Sequence, residues 1–215
     1  MLGLKPIKLL PARERVAAAL RKAIIGRQIE EGEVLTLENT AQELGVSVTP
    51  VREAFQILAR DGLIELKQNK GAVVLGVNKK TLREHYQIRA ALEAEACRLC
   101  CIQDADLSGI ENVLTAIERF VNKGDYDNYS NLNQSFHMEI WMAAGNEKMK
   151  NMLSELWNGL STGRQTTEAE YARCSMKEHQ EILRLLKEKD AEGAYKAMHR
   201  HIERSLEDML TEYAE

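Results

Sequence analysis

Residues Leu44–Val74 read LGVSVTPVREAFQILARDGLIELKQNKGAVV, and this stretch decides the N-terminal fold. Gly45 ends a helix predicted over Leu37–Leu44, because glycine tolerates the left-handed backbone of a C-terminal cap. A second helix follows, with a proline in its first turn and either Ser47 or Thr49 as its N-cap. The stretch therefore predicts two helices joined by a tight turn.

The second helix has one apolar face and is followed by a β-hairpin. Its apolar residues recur at helical spacing: Val51, Ala54, Phe55, Leu58 and Ala59. Gly62 ends the helix, and the alternation over Leu63–Leu66, the turn Gln68–Gly71 and the run Ala72–Val77 predict the hairpin. Helix, turn, helix and hairpin in this order predict a winged helix-turn-helix, which binds DNA.

The residues at the start of the second helix suit a nucleic-acid contact. A helix N-terminus offers unpaired N–H groups to phosphate, and Arg52 can pair with a phosphate or with a guanine edge. The alternative is a winged helix that contacts only protein. Residues 1–78 contain 11 Lys+Arg and 9 Asp+Glu, whereas residues 79–215 contain 18 and 24, so the acidic excess belongs to the second half. A net charge of +2 predicts that affinity comes from a few placed contacts and from dimerisation.

From Arg13 to Gly71 the sequence resembles the GntR family of bacterial transcription regulators. The resemblance is carried by ARERVAAALRKAIIGRQIEEGEVL, by LGVSVTPVREAFQILARDGLIE and by a glycine in the wing. It implies DNA contacts at four residues: Ser47, Thr49, Arg52 and Gly71. The family's usual arginine after the serine is Val48 here. One base contact in the major groove is therefore missing, or an apolar contact to a thymine methyl replaces it.

The second half shows no further strand pattern and divides into amphipathic helices. The predicted helices are Lys80–Gln103, Asp106–Asn122, Tyr126–Ala144, Lys148–Thr166, Met176–Lys189 and Ala191–Glu212. The predicted N-caps of the last five are Asp106 or Ser108, Asp125, Asn146, Ser175 and Asp190. With a linker near Gly76–Lys80, we expect a mainly α protein. Residues 1–77 would form the winged helix-turn-helix and residues 78–215 an all-α ligand-sensing and dimerisation domain.

Composition limits the class of protein. No run approaches the roughly 20 apolar residues of a membrane span, and the N-terminus lacks the apolar core of a signal peptide, so a cytoplasmic location is expected. The four cysteines (Cys97, Cys100, Cys101 and Cys174) lack the paired spacing of a structural zinc site. We interpret them as reduced thiols, of which three lie in one helix.

Four polar residues of the predicted bundle have the spacing of metal ligands. Asn133 and His137 are one turn apart on one helix, and His179 and His201 lie one on each of the last two helices. Facing inward, such a set fits Zn²⁺, Ni²⁺ or Mn²⁺ with positions left open for a ligand. The alternative is a metal-free interaction module in which the histidines are ordinary core residues.

The second half also resembles the FCD ligand-sensing domain of the FadR subfamily. The matching segments are IRAALEAEA (88–96), NQSFH (133–137), EHQEILRLLKEKDAEGAYKAM (178–198) and HI (201–202). In many FCD domains an aspartate and three histidines bind a divalent metal, and a small carboxylate completes the shell. The histidines carry over to His137, His179 and His201, while His199 would point to another side of its helix. Asn133 stands where the family most often has aspartate, which weakens metal binding but leaves the ion its full charge.

Arg89 is the candidate to pair with an effector carboxylate, and the alternative is a salt bridge to a neighbouring helix. His85 and Arg164 are further residues that could reach the cavity. We therefore expect a homodimeric, ligand-responsive transcription factor, most simply a repressor, on a pseudo-palindromic operator. The alternative from another class is a metal-dependent hydrolase using the three histidines. No HExxH motif is present, and no carboxylate beside the ligands is an obvious general base.

Overall fold

A computed structural model describes residues 11–26, 28–67, 71–76, 79–126, 129–157 and 168–211 of the 215-residue chain. Its elements are α1 (Ala12–Ile25), β1 (Val34–Leu35), α2 (Leu37–Glu43), α3 (Val48–Arg60), β2 (Ile64–Lys67), β3 (Gly71–Val74), α4 (Lys79–Ile102), α5 (Ser108–Asn122), α6 (Tyr129–Ala143), α7 (Glu147–Leu156), α8 (Glu168–Lys187) and α9 (Ala191–Thr211). They fall into two compact units, Met1–Val77 and Asn78–Glu215. The expected mainly helical class, with a winged helix-turn-helix before a helical bundle, is confirmed.

The N-terminal unit packs α3 on α1 and carries a small antiparallel sheet. The buried face of α3 is the predicted one, formed by Val51, Ala54, Phe55 and Leu58, with Ala59 half-buried at its edge. Fully burying a Leu or Phe side chain stabilises a fold by about 1.5–3 kcal/mol, so this face anchors the helix. Just after the end of α3, the Asp61 carboxylate accepts a hydrogen bond from Arg21 of α1 at 2.5 Å.

The sheet has the strand order β1-β3-β2, with Ile64 opposite Val74 and Val34 opposite Val73. The predicted hairpin is thus present. Its first strand lies one residue later than predicted, and its second strand begins one residue earlier and ends three residues earlier than predicted. Residues 68–70 of its turn lie outside the described residues. The strand β1 was not predicted, because two residues are too short for an alternating pattern. Its place at the sheet edge is decided by pairing with β3.

The turn between α2 and α3 follows the sequence closely. Gly45 adopts φ +62° after α2, and Gly62 adopts φ +72° after α3. Ser47 occupies the N-cap position of α3, but its side chain makes no capping hydrogen bond, and Thr49 lies inside the helix. The predicted side-chain cap is therefore wrong. Among the described residues, no side chain caps the first-turn N–H groups of α3.

In the C-terminal unit, α4 and α9 pack along one another, α5 contacts α6 and α8, and α4 also contacts α6 and α7. Within the described ranges, no helix has the length and apolarity that crossing a membrane requires. The predicted boundaries of α4, α5 and α9 agree with the observed ones to within two residues at each end. The fourth bundle helix, predicted to continue to Thr166, ends at Leu156, because Trp157 adopts an extended backbone conformation.

The predicted start of α8 is the main error of the sequence prediction in this unit. This helix begins at Glu168, eight residues before the predicted Met176, because Tyr171 and Ala172 already pack in the core. Ser175 is therefore buried inside the helix and does not cap it. The caps at Asn146 and Asp190 are confirmed, since their side chains accept from Met149 N–H (3.0 Å) and Gly193 N–H (2.9 Å). Asp106 likewise accepts from Ser108 N–H at 2.9 Å.

The wing contains a position that only glycine fits. Gly71 has φ +85°, and a Cβ there would lie 2.0 Å from the carbonyl oxygen of Leu35, whereas Gly32 has the same φ and open space around it. A side chain in the left-handed region costs roughly 1–2 kcal/mol at either position. We expect Gly71→Ala to lose clearly more stability than Gly32→Ala. Hydrogen exchange of the α3 amides measures this, and equal losses would show that the close approach to Leu35 is unimportant.

Candidate functional sites

Three histidines from three helices meet inside the C-terminal unit. They are His137 of α6, His179 of α8 and His201 of α9, and each is at most 2% exposed. The Nε2 atom of His201 lies 3.3 Å from Nε2 of His179 and 3.3 Å from Nε2 of His137. All three potential ligand atoms lie within 4.8 Å of one another. The three inward-facing histidines predicted from spacing are therefore brought together.

Two glutamates lie behind this cluster. Glu93 of α4 accepts from Nδ1 of His137, from Nε of Arg89 (2.6 Å) and from Nε1 of Trp141 (3.2 Å). Glu178 of α8 accepts from Nδ1 of His201 at 2.6 Å. An ionised carboxylate can only accept hydrogen bonds, so both Nδ1 atoms carry the proton. The Nε2 atoms of these two rings therefore lie on the side that faces the centre of the cluster.

The protonation states support this assignment. Burial alone would raise the pKa of Glu93, but His137 and Arg89 outweigh it and hold this pKa at about 2. Burial likewise opposes ionisation of Glu178, and hydrogen bonds from His201 and Arg204 lower its pKa to about 2. Burial lowers the pKa of His201 to about 4, against the opposing effect of Glu178. The glutamates are thus charged and His201 is neutral near pH 7.

His179 is held differently from the other two. Its ring stacks on Phe136 with centroids 4.0 Å apart and an interplanar angle of 18°. Its Nδ1 is buried and has no hydrogen-bond partner among the described residues. Burial and the two neighbouring histidines lower its pKa well below the usual value, so this ring is also neutral.

The cluster fits a divalent metal on its own geometry. Nitrogen ligands lie about 2.0–2.1 Å from Zn²⁺, so two of them around a tetrahedral ion are about 3.3–3.4 Å apart. The two Nε2 separations at His201 have this value. Lone pairs that converge in a buried space repel one another unless a cation lies between them. The donor set of neutral imidazoles is one that zinc and nickel accept.

The remaining predicted ligand and effector residues are placed as follows. Asn133 is buried one turn before His137, and its Oδ1 accepts from the Tyr129 hydroxyl at 3.3 Å. Arg89 is buried and forms its salt bridge with Glu93 of its own helix, not with a neighbouring helix as the alternative supposed. Its guanidinium lies over the ring of Trp157, 4.4 Å from the centroid.

His199 is outside the three-histidine cluster, as expected, and contacts Glu203 at 3.2 Å. His85 lies on α4 with no place in that cluster, and Arg164 lies outside the described residues. Cys97, Cys100 and Cys101 are buried in α4, as the apolar interpretation predicts, while Cys174 is exposed. Burial raises the pKa of Cys97 well above its usual value, so this thiol is unreactive.

In the N-terminal unit, the start of α3 faces solvent. Ser47, Thr49 and Arg52 are exposed, and Val48 is half-buried. Gly71 is the first residue of β3, opposite Lys67 at the turn end of the hairpin, and is half-buried. The side chains predicted to contact DNA are thus accessible within this unit.

Sequence reasoning missed the two glutamates and Arg204, and it considered Arg89 only as an effector partner or as part of a salt bridge between helices. It expected no carboxylate beside the ligands to be an obvious general base, and Glu93 and Glu178 both contact the histidines. Their oxygens bind the Nδ1 side of the rings, away from the centre where a reacting water would lie. The spacing of Arg89 and Glu93, four apart on one helix, was an available signal. Nothing in the sequence shows that Arg204 of α9 binds Glu178 of α8 at 2.7 Å.

The depressed pKa of His201 predicts a pH-dependent stability of the metal-stripped protein. Its folded pKa is about 4 and its unfolded pKa about 6.5, so the unfolded chain binds more protons between these values. The free energy of unfolding should fall as the pH drops through this window, by on the order of 3 kcal/mol from this residue. Both tryptophans, Trp141 and Trp157, lie in the C-terminal unit, so their fluorescence can follow its denaturation. An unchanged pH slope in His201→Gln would contradict the expectation.

Comparison with known proteins identifies both units. Residues 84–204 match the FCD domain, and residues 12–74 match the bacterial regulatory proteins of the gntR family. The chain is 29% identical over 196 residues to the HTH-type transcriptional regulator YdhC of Bacillus subtilis, covering 88% of this chain and 87% of that protein. It is 32% identical over 148 residues to the gluconate operon transcriptional repressor of Bacillus subtilis, covering 68% and 59%.

A solved structure agrees in fold. The structure of McbR/YncC of E. coli superposes with a TM-score of 0.75 at 23% identity, covering 95% of this chain and 100% of that one. The matched families are transcriptional regulators, which sets aside the hydrolase alternative. The chain belongs to the GntR family of bacterial transcriptional regulators and carries the FCD domain of the FadR-like subfamily.

Proposed function

We propose that this regulator is a repressor whose affinity for its operator changes when a small organic acid binds beside a divalent metal ion in the FCD domain. The sensing half of this proposal, the binding of metal and ligand, rests on the convergence of three buried, inward-facing histidine Nε2 atoms. The Nε2 atom of His201 lies 3.3 Å from Nε2 of His179 and 3.3 Å from Nε2 of His137. The related gluconate operon regulator is named a repressor, which supports the direction of regulation.

The DNA-reading part of the proposal rests on the exposed start of α3. Ser47, Thr49 and Arg52 project from its first turns, and the N–H groups there have no side-chain cap that a phosphate would have to displace. Arg52 is assigned to a phosphate or a guanine edge. Val48 replaces the family's arginine, so the preferred operator differs at one base pair. Gly71 is assigned a backbone contact from the wing.

Two copies of the chain are needed for useful affinity. The N-terminal 78 residues have a net charge of only +2, so a broad positive field is absent. A short recognition helix reads few base pairs, and a two-fold dimer doubles them by binding two half-sites about 34–36 Å apart. We therefore propose a homodimer on a pseudo-palindromic operator.

The metal would be held by His137, His179 and His201, with the Oδ1 of Asn133 as a further candidate ligand. Zn²⁺, Ni²⁺ and Mn²⁺ are the candidates, and such an ion would supply a positive Lewis-acidic centre for an anionic ligand. The chain's own charges leave that centre uncompensated. Glu93 is paired with Arg89 and Glu178 with Arg204, and the three imidazoles are uncharged ligands. A small carboxylate therefore matches the site electrostatically.

Arg89 is the proposed protein partner of that carboxylate. Glu93 takes its Nε–H, while the two terminal amino groups of a guanidinium can pair with a carboxylate. The flat contact with Trp157 fixes the plane of the group. The effector shifts operator affinity by its differential binding to two arrangements of the dimer, commonly about 1–3 kcal/mol or 5–150-fold.

The role of Arg52 is tested with operator DNA selected from a random pool. Arg52→Ala should weaken specific binding by roughly 10-fold or more, because a charged base or phosphate contact is lost. Arg60→Ala, at the far end of the same helix, is the matched control and should bind nearly as the wild type. Fluorescence anisotropy measures both affinities. Wild-type affinity in Arg52→Ala, with the protein folded, would remove this residue from the interface.

The sensing half is tested by combining metal analysis with DNA binding. The wild type should hold about one divalent ion per chain, and His137→Ala should lose it because one of three ligands is missing. His199→Ala is the matched control, since His199 is a histidine of α9 outside the cluster. Operator affinity should then respond to a panel of small carboxylates in the metal-loaded wild type and in His199→Ala. No response over the panel would refute the sensing half of the proposal.

A further inference from the structure

The three histidines of the cluster are not held alike. His137 and His201 each donate their Nδ1–H to a glutamate, and each glutamate is itself bound by an arginine. His179 has no such partner and is positioned by its stacking on Phe136. Two series of hydrogen bonds, each running from a histidine to a glutamate to an arginine, therefore support the cluster. The third histidine has no such series.

The two series of hydrogen bonds have a similar arrangement. In Glu93, one oxygen accepts from Arg89 Nε and the other from His137 Nδ1. In Glu178, one oxygen likewise accepts from Arg204 Nε at 2.7 Å, and the other accepts both from His201 Nδ1 at 2.6 Å and from Arg204 Nη2 at 2.8 Å. In each carboxylate, one oxygen thus accepts from an arginine Nε, and the other accepts from a histidine Nδ1 together with a second donor, Trp141 Nε1 in Glu93 and Arg204 Nη2 in Glu178. This arrangement fixes the rotation of the imidazole and the position of its proton.

The arginines are themselves fixed. Arg204 also donates to Asp208 at 2.5 Å and to Ser175 Oγ at 2.8 Å, and it lies 4.9 Å from the centroid of the Tyr171 ring. Arg89 is buried and lies against Trp157. If Glu93 turned away from His137, its ion pair with the buried Arg89 would break, which is costly. If Glu178 turned away from His201, it would lose its hydrogen bonds with Arg204, which Asp208 holds in place.

We propose that Glu93 and Glu178 are positioning residues of the metal site, which hold the Nε2 atoms of His137 and His201 unprotonated and directed at the ion. This rests on the metal site proposed above and deepens it. Outer residues that orient metal-binding histidines typically contribute 10–100-fold to metal affinity. The metal site is therefore a property of five side chains from four helices rather than of three histidines alone.

Glutamine is the informative substitution at both positions. It keeps the shape of the side chain but replaces one acceptor oxygen by an amino group, which donates. Since one oxygen faces an arginine donor and the other a histidine donor, the amide cannot serve both. An arginine can only donate, whereas a neutral imidazole nitrogen can also accept, so the amino group is better placed facing the histidine. The histidine Nδ1 then accepts this hydrogen bond, and its proton moves to Nε2.

The experiment uses the full-length chain, stripped of metal, with Zn²⁺ as the probe. Competition with a chromophoric chelator measures the affinity of the wild type, Glu93→Gln and Glu178→Gln. The matched controls are Glu95→Gln on α4 and Glu181→Gln on α8, whose carboxylates bind Arg98 and Arg184 and contact no histidine of the cluster. The two site variants should bind Zn²⁺ 10–100-fold more weakly, and the controls should stay within about twofold of the wild type.

Long-range ¹H–¹⁵N correlation spectra of the metal-free protein supply the second measurement. Glu93→Gln should change the proton position on His137 but not on His201, and Glu178→Gln should do the reverse. A purely structural role would not produce this selectivity. Because Glu178 is partly exposed, its variant carries the test if Glu93→Gln does not fold.

The outcomes separate the two proposals. If the wild type binds no Zn²⁺, the proposed metal site fails and the positioning role fails with it. If the wild type binds Zn²⁺ and both folded glutamine variants bind it equally well, the positioning role alone is refuted. A weakened affinity with unchanged protonation of His137 and His201 would also refute it, because the glutamates would then act only on stability.

Discussion

The buried carboxylate of Glu93 is the constraint around which the C-terminal unit is organised. A charge with no access to water is tolerated only when opposite charges and hydrogen-bond donors surround it. Glu93 meets this requirement with donors from Arg89 of its own helix and from His137 and Trp141 of α6. One side chain thereby connects α4 to α6 and determines which nitrogen of His137 carries the proton. Breaking this connection would leave an unpaired charge in the core.

The same requirement explains why His179 and His201 are neutral. Burial disfavours the imidazolium form, and Glu178, which could stabilise it at His201, is already shared with Arg204. The bundle therefore presents buried nitrogen ligands beside buried charges that are paired with each other. Such a core has little to gain from this arrangement by itself, because replacing buried polar networks with apolar residues is often neutral or stabilising. This suggests selection for binding rather than for stability.

In the N-terminal unit, one face of α3 packs in the core, and the opposite face, which we propose contacts DNA, is exposed. Four residues of α3 fill the core beside α1, and the opposite side together with the first turn stays exposed. Because 3.6 residues make a turn, a helix of 13 residues can serve both purposes without compromise. The salt bridge between Arg21 and Asp61 ties α1 to the end of α3 and so orients the exposed face.

Most of the N-terminal fold was predictable, because its signals are local. The glycines that end α2 and α3, the apolar face of α3 and the hairpin each follow from residues close together in the chain. The two-residue strand β1 was not predictable, since its only support is pairing with β3. The early start of α8 was missed because Tyr171 and Ala172 gain their stability from distant core residues, which helix periodicity does not reveal.

For the three-histidine site, too, some features were predictable from local sequence and others were not. Histidines on three helices were visible in the sequence, because a residue type and a helical spacing are local properties, and these predicted the cluster at His137, His179 and His201. The partners of those rings depend on which helices pack together. Glu93 lies 44 positions from His137, and Glu178 lies 23 from His201. The sequence by itself determined most of the helices and the hairpin, the helix α3 that we propose reads DNA, and the three histidines that are candidate metal ligands. Only the tertiary structure decided how the rings are held, because buried charges must find their partners in space.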